Sequence, residues 1–175
     1  MSNVADVVFL PWVHRLNSIV HQRLLEYVER LPKNSIVALE TLDNELFSDE
    51  VRHKELSRYT PERLSVALKK TEATTTILAS YEIQNACRRR NISIIPIESP
   101  VLMKRMHKIA QEMNRSGVEK TILEYERVNQ AREEQVAEKI AQAAVGKKRV
   151  YVIIGAKHIP LVQHLLQNKD VRTRV

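Results

Sequence analysis

The sequence predicts an α/β domain: compact, helix-rich, with a small, mostly parallel sheet flanked by helices. Three observations carry that expectation. Four short runs, 4–10, 35–39, 91–97 and 149–154, are nearly continuous in Val, Ile, Leu and Phe, the pattern of strands covered on both faces. Stretches of helical periodicity separate them. Only three glycines stand among many Glu, Lys, Arg, Ala and Leu residues, a composition that favours helix. A chain of 175 residues suits one core rather than two. The expectation is therefore a single domain over 1–168, followed by a basic C-terminal tail over 169–175.

Taken in order, the first strand leads to a helix over 15–31 whose stripe is Leu16, Ile19, Val20, Leu24, Tyr27 and Leu31. After the second strand, residues 40–59 are polar and irregular and read as a loop or lid. Thr60-Pro61 supplies an N-cap and first-turn pair for a helical region reaching Arg90, with a break expected at 71–76, where poor helix formers cluster. The third strand contains Pro96, which places it at a sheet edge or at its own end. Ser99-Pro100 opens another helix, with Leu102, Met106, Ile109 and Met113 at helical spacing, ended by Gly117. A long helix over 118–145 precedes the fourth strand, and Pro160 suits the first turn of a last helix.

Composition narrows the setting. No apolar run approaches the roughly 20 residues of a membrane helix, and the first residues, with Asp6 and no basic region, do not read as a signal peptide. A single cysteine, Cys87, leaves no internal disulfide and suits a reducing, cytoplasmic setting. The formal net charge is +7. The basic residues fall in separate clusters, at Lys69-Lys70, Arg88-Arg89-Arg90, Lys104-Arg105, Lys147-Lys148-Arg149, and Arg172 with Arg174. Several stand near helix C-termini, where cations complement the dipole. Dispersed aromatic residues offer no base-stacking platform. The charge thus reads mainly as a solvated surface, and nucleic acid is not the favoured partner.

Candidate chemistry comes from the residues just past each strand, because open α/β sheets bind ligands beyond the carboxyl ends of their strands. His14 comes after the first, Glu40 after the second, Glu98 after the third, and Gly155 with His158 after the fourth. Two histidines and two carboxylates at one edge suit either a divalent cation or acid–base work on a bound substrate. Gly155 permits a sharp turn or a close approach, and His158 falls at a helix N-terminus. Arg132 stands where the long helix's stripe (Val118, Ile122, Tyr125, 129, 132, Val136, Ile140, Ala143) calls for a core residue, and a buried guanidinium requires a carboxylate or ligand. Arg23 holds a comparable place on the first helix. His21, His53, His107 and His164 read as surface residues. No Walker loop, GxGxxG, HExxH, CxxC or GxSxG motif occurs.

These residues resemble the Tiki/TraB superfamily, which includes ChaN-like haem-binding proteins and erythromycin-esterase-like enzymes. The second GxxH motif of that family is matched by GAKH at 155–158, preceded by YVII. REEQVAEKI, from Arg132, is similar to the arginine-led helix before it, and SIVALE, ending at Glu40, to the second strand and its acid. Arg23, nine residues after His14, stands where esterase-like members carry an arginine. The first motif reads PWVH, with Pro11 in the glycine's place. The resemblance spans nearly the whole chain.

It implies a hydrolytic or metal-binding centre of two histidines and a glutamate. In a metal form, His14, Glu40 and His158 would ligate a divalent transition ion (Zn, Mn, Fe or Co), with Arg132 on a substrate carboxylate or oxyanion; Glu98, which rests on its strand-end position alone, would orient a ligand or act as base. In a metal-free form His14 is the base. The substrate would be a small molecule or a peptide. The alternative from another class is a non-catalytic module that binds haem, a metal ion or a polyanion.

Overall fold

The computed structural model describes residues 5–13, 18–41, 72–116, 118 and 121–175. Its strands are β1 (Asp6–Trp12), β2 (Ile36–Leu39), β3 (Ser93–Pro96), β4 (Arg149–Gly155) and β5 (Arg172–Arg174). Its helices are α1 (Ile19–Arg30), α2 (Glu72–Arg89), α3 (Pro100–Ser116), α4 (Ile122–Ala144) and α5 (Ile159–Gln167), with a 3-10 turn at Ala156–His158. The strands form one sheet in the order β3-β2-β4-β1-β5, and every pairing is parallel. The predicted fold class is the observed one.

Alternation along the strands builds two cores. Val150, Val152 and Ile154 of β4, with Val7, Phe9 and Ala38, face α4 and α5. Tyr151 and Ile153, with Val37 and Leu39, face α1 and α2. Each fully buried Val, Leu or Ile contributes about 1.5–3 kcal/mol, so a strand that serves both layers has no residue to spare for polarity. That is why these runs show no polar–apolar alternation. Because α4 passes Arg132 at one end of β4 and reaches Ala144 at the other, its first turns extend beyond the sheet. There they pair with α3 around Met106, Ile109 and Val128.

Several local expectations hold. Ser99 Oγ accepts from the Leu102 N–H at 3.4 Å, and Pro160 sits in the first turn of α5. Pro96 ends β3, an edge strand. Pro11 is in the middle of the sheet, but β5 covers only Asp6, Val7 and Val8 of β1. Its missing N–H therefore falls beyond the part of β1 that is paired on both sides.

Others are corrected. Residues 172–174, expected within a tail, form β5, because the open side of β1 accepts a strand whatever its side chains and edge strands tolerate charge. The first helix buries His21, Leu24 and Val28, while Ile19, Val20 and Tyr27 are exposed. The true stripe is thus rotated about one residue from the expected one, and His21 lies under it rather than on the surface. Its Nε2 is 2.8 Å from Glu82 Oε2 on α2. Residues 74–76 lie within α2 rather than breaking it, despite the weak helix propensity of threonine. His107 and His164 are exposed as expected. The loop at 42–59, the Thr60-Pro61 start, His53 and Gly117 lie outside the described residues.

Candidate functional site

Helices α1 and α2 pack on one face of the sheet, α4 and α5 on the other, and the strands that follow β2 and β4 lie on opposite sides of that pair. The crevice between β2 and β4 is therefore a topological switch point, where open α/β sheets bind ligands. Glu40 comes directly after β2. Its N–H donates to the Ile153 carbonyl at 2.9 Å, extending the ladder by one step. Two residues past Ala38, its side chain points to the α4 face. Glu98 comes after β3 in the same way, its N–H donating to the Thr41 carbonyl at 3.1 Å, while Lys139 Nζ donates to the Glu98 carbonyl at 2.9 Å.

Arg132 descends from α4 between these carboxylates. Its Nε donates to Glu98 Oε2 at 2.9 Å and its Nη2 to Glu98 Oε1, a bidentate pair. Nη2 also donates to Glu40 Oε1 at 2.6 Å. The other Glu40 oxygen accepts from the Gly155 N–H. Burial works against the charge on Arg132. The hydrogen bond and charge of Glu98, with Glu40 and Glu133 behind them, outweigh it and hold the guanidinium pKa above its ordinary value. The ion group is fully desolvated: the side chains of Arg132, Glu40, Glu98, Glu133 and His158 are all less than a tenth exposed.

His158 completes the cluster. It occupies the N-cap position of α5 but makes no side-chain cap bond; its ring turns inward instead. Its Nδ1 is paired with Glu133 Oε1, so Nδ1 carries the proton and Nε2 is left as the basic nitrogen. Nε2 lies 3.5 Å from Glu40 Oε1. Arg132 Nη1 is nearly equidistant from the two ring nitrogens, at 3.3 and 3.2 Å. In the ring plane that position would collide with Cε1, so Nη1 sits out of the plane of the imidazole.

Of the two reasons expected for a glycine at 155, the sharp turn is not borne out. Its φ is −53°, a conformation open to any residue, so the turn itself does not demand glycine. Its N–H anchors Glu40.

Of the predicted site residues, the structure brings together Glu40, Glu98, Arg132 and His158. Arg23 is exposed on α1 and is not among them. His14 lies outside the described residues. Glu133 was missed, although a signal existed: Glu133, Ala137, Ile140 and Ala144 share one helical face. A carboxylate in line with three core residues is as informative as an arginine in that place. Asn129, which lies on the stripe expected from the sequence, is half-buried, and Val128 takes the core position.

Of the three expected metal ligands, Glu40 and His158 are among the described residues and His14 is not. The guanidinium already holds the cationic position beside both Glu40 and His158, and the Glu40 oxygens accept from Arg132 and Gly155. Among the described residues no group of three or more His, Cys, Asp or Glu side chains has the arrangement of a metal site. Compared with family models, curated proteins and solved structures, the chain matches none.

Proposed function

We propose that the chain is a cytoplasmic hydrolase of the Tiki/TraB type, working on an ester, lactone or peptide bond without a resident metal. The observation that carries this reading is the His158–Glu133 pair. A buried carboxylate holds the imidazole by Nδ1 and leaves Nε2 as base at the carboxyl edge of the sheet. In this reading His158 takes the part of base that the resemblance gave to His14, and Glu133 orients it. His158 Nε2 takes a proton from water as the water oxygen bonds to the carbonyl carbon. The carbon–heteroatom bond then breaks, and the same proton passes to the leaving group. Arg132, its charge fixed by Glu98 and Glu40, stabilises the oxyanion. Among the described residues no helix is long and apolar enough to cross a membrane.

The test is a panel of chromogenic esters, lactones and short peptides, run after chelation and again with added Zn, Mn or Co. Turnover after chelation that falls about 10²- to 10⁴-fold in Glu133→Gln and His158→Gln supports the reading. Turnover that requires an added ion would replace it by the metal form. Turnover unchanged in His158→Gln would end it.

A further inference from the structure

A parallel sheet gathers all its strand beginnings at one edge, opposite the site. In this chain the basic clusters precede the strands one after another. Lys33 stands before β2, Arg88–Arg90 before β3, Lys147–Arg149 before and into β4, and Lys169 with Arg172 before and into β5. They are scattered in sequence but neighbours in space. The turn before β2 bonds to the turn before β3 through Asn34 and Asn91 at 3.0 Å. The β1 start bonds to the Lys148 carbonyl at 3.0 Å, and Arg90 reaches the Leu31 carbonyl at 3.0 Å.

Magnitudes decide whether this charge is more than dipole compensation. With Arg30, the edge carries ten Lys and Arg residues against Asp6, Glu29 and Asp170, with Glu138 reaching in from α4 to Lys169. Four helix C-termini (α1, α2, α4 and α5) end here, each worth about −0.5 charge. They offset roughly two positive charges and leave a surplus of about four. Lys33, Lys147 and Lys148 are exposed. Five strands at about 4.8 Å spacing make an edge of about 19 Å, over which a nucleic-acid duplex presents about eleven phosphates. The exposed large apolar side chains include one aromatic residue, Tyr27, whose ring stands edge-on to Tyr151. Contact would therefore be with backbone phosphate rather than stacked bases.

We infer that the strand-start edge, formed by the turns before β2, β3, β4 and β5, binds the phosphate backbone of double-stranded nucleic acid without reading its sequence. This rests on the surface alone and is independent of any chemistry at the opposite edge. The test is fluorescence anisotropy of a labelled 20-bp DNA duplex with the full chain. Expected is binding at 50 mM salt that weakens about 10²- to 10³-fold by 200 mM, as four or five phosphate contacts require. The triple variant Lys33→Glu/Lys147→Glu/Lys148→Glu should bind at least ~10-fold more weakly with an unchanged melting temperature. A triple variant of equal charge on α3 (Lys104→Glu/Lys108→Glu/Arg115→Glu) should keep most of its affinity. Equal losses in the two variants, absence of salt-dependent binding, or binding to phosphatidylserine vesicles but not to the duplex would each overturn the inference.

Discussion

The two ends of this sheet handle charge in opposite ways. At the carboxyl end, three glutamates, an arginine and a histidine are buried together and joined by direct hydrogen bonds. At the strand-start end, a larger number of charges stays in water. Ion pairs there, such as Arg89 with Glu29, join side chains that remain substantially exposed. Buried, a charge must be matched atom by atom, and each partner depends on the others. In water the same groups are individually dispensable and act through their sum. The carboxyl end thus specifies a geometry, and the strand-start end specifies a field.

That difference can be broken experimentally, beginning where the effect is largest. Arg132→Ala leaves Glu40 and Glu98 buried without their shared cation, and should cost about 3–5 kcal/mol in urea unfolding. Arg132→Lys should recover only part of this, since an ammonium cannot make the bidentate bond to Glu98.

Next is Cys87, on the buried face of the last turns of α2, just inside the basic edge. Burial, with the charge of Glu29 in addition, pushes its thiol pKa up to about 12 from 9.0. The folded state therefore holds the thiol proton more tightly than the unfolded state. The associated stability is complete below pH 9 and is lost as pH rises towards 12, by about 1.4 kcal/mol per pH unit. Cys87→Ala should remove this component from the alkaline limb of the stability curve. The native thiol should also resist aromatic disulfide reagents at pH 8 and react once the chain is unfolded.

Glu133→Gln sharpens the reading of the carboxyl end at modest cost, about 1–2 kcal/mol in thermal melting. Nitrogen-15 spectra of the wild type should show His158 as the Nδ1–H tautomer at neutral pH, with a strongly downfield Nδ1 proton that disappears in the variant. An Nε2–H tautomer in the wild type would contradict the His158–Glu133 pairing. Smallest is the strand-start end itself: Lys147→Glu/Lys148→Glu should change folding stability by no more than about 0.5 kcal/mol, because neither residue has a buried partner. A large loss there would remove the contrast between the two ends.

Legibility in the sequence divides along the same line. The uninterrupted apolar runs announced four strands and a sheet covered on both faces. Chain order alone then placed Glu40, Glu98 and His158 at one edge, given parallel pairing. Arg132 was legible because an arginine interrupted an apolar stripe. Glu133 was less so, although it lay on the adjoining stripe, because an acid next to an arginine reads equally well as a solvated neighbour. Arg23 and His21 were exchanged in their roles because the stripe of α1 was rotated. With many apolar residues around that helix, periodicity left the buried face poorly determined. β5 was invisible, since Arg-Thr-Arg becomes a strand only when an unpaired edge is offered to it.

The sequence by itself determined the fold class, the first four strands along the chain and the kinds of side chain waiting at their ends. These depend on local periodicity and composition, which need no knowledge of neighbours. Only the tertiary structure decided which carboxylate holds His158, that Arg132 reaches its ring, and that basic runs more than a hundred residues apart share one edge. Pairing and charge are properties of distance in space, and that distance is set when the sheet assembles.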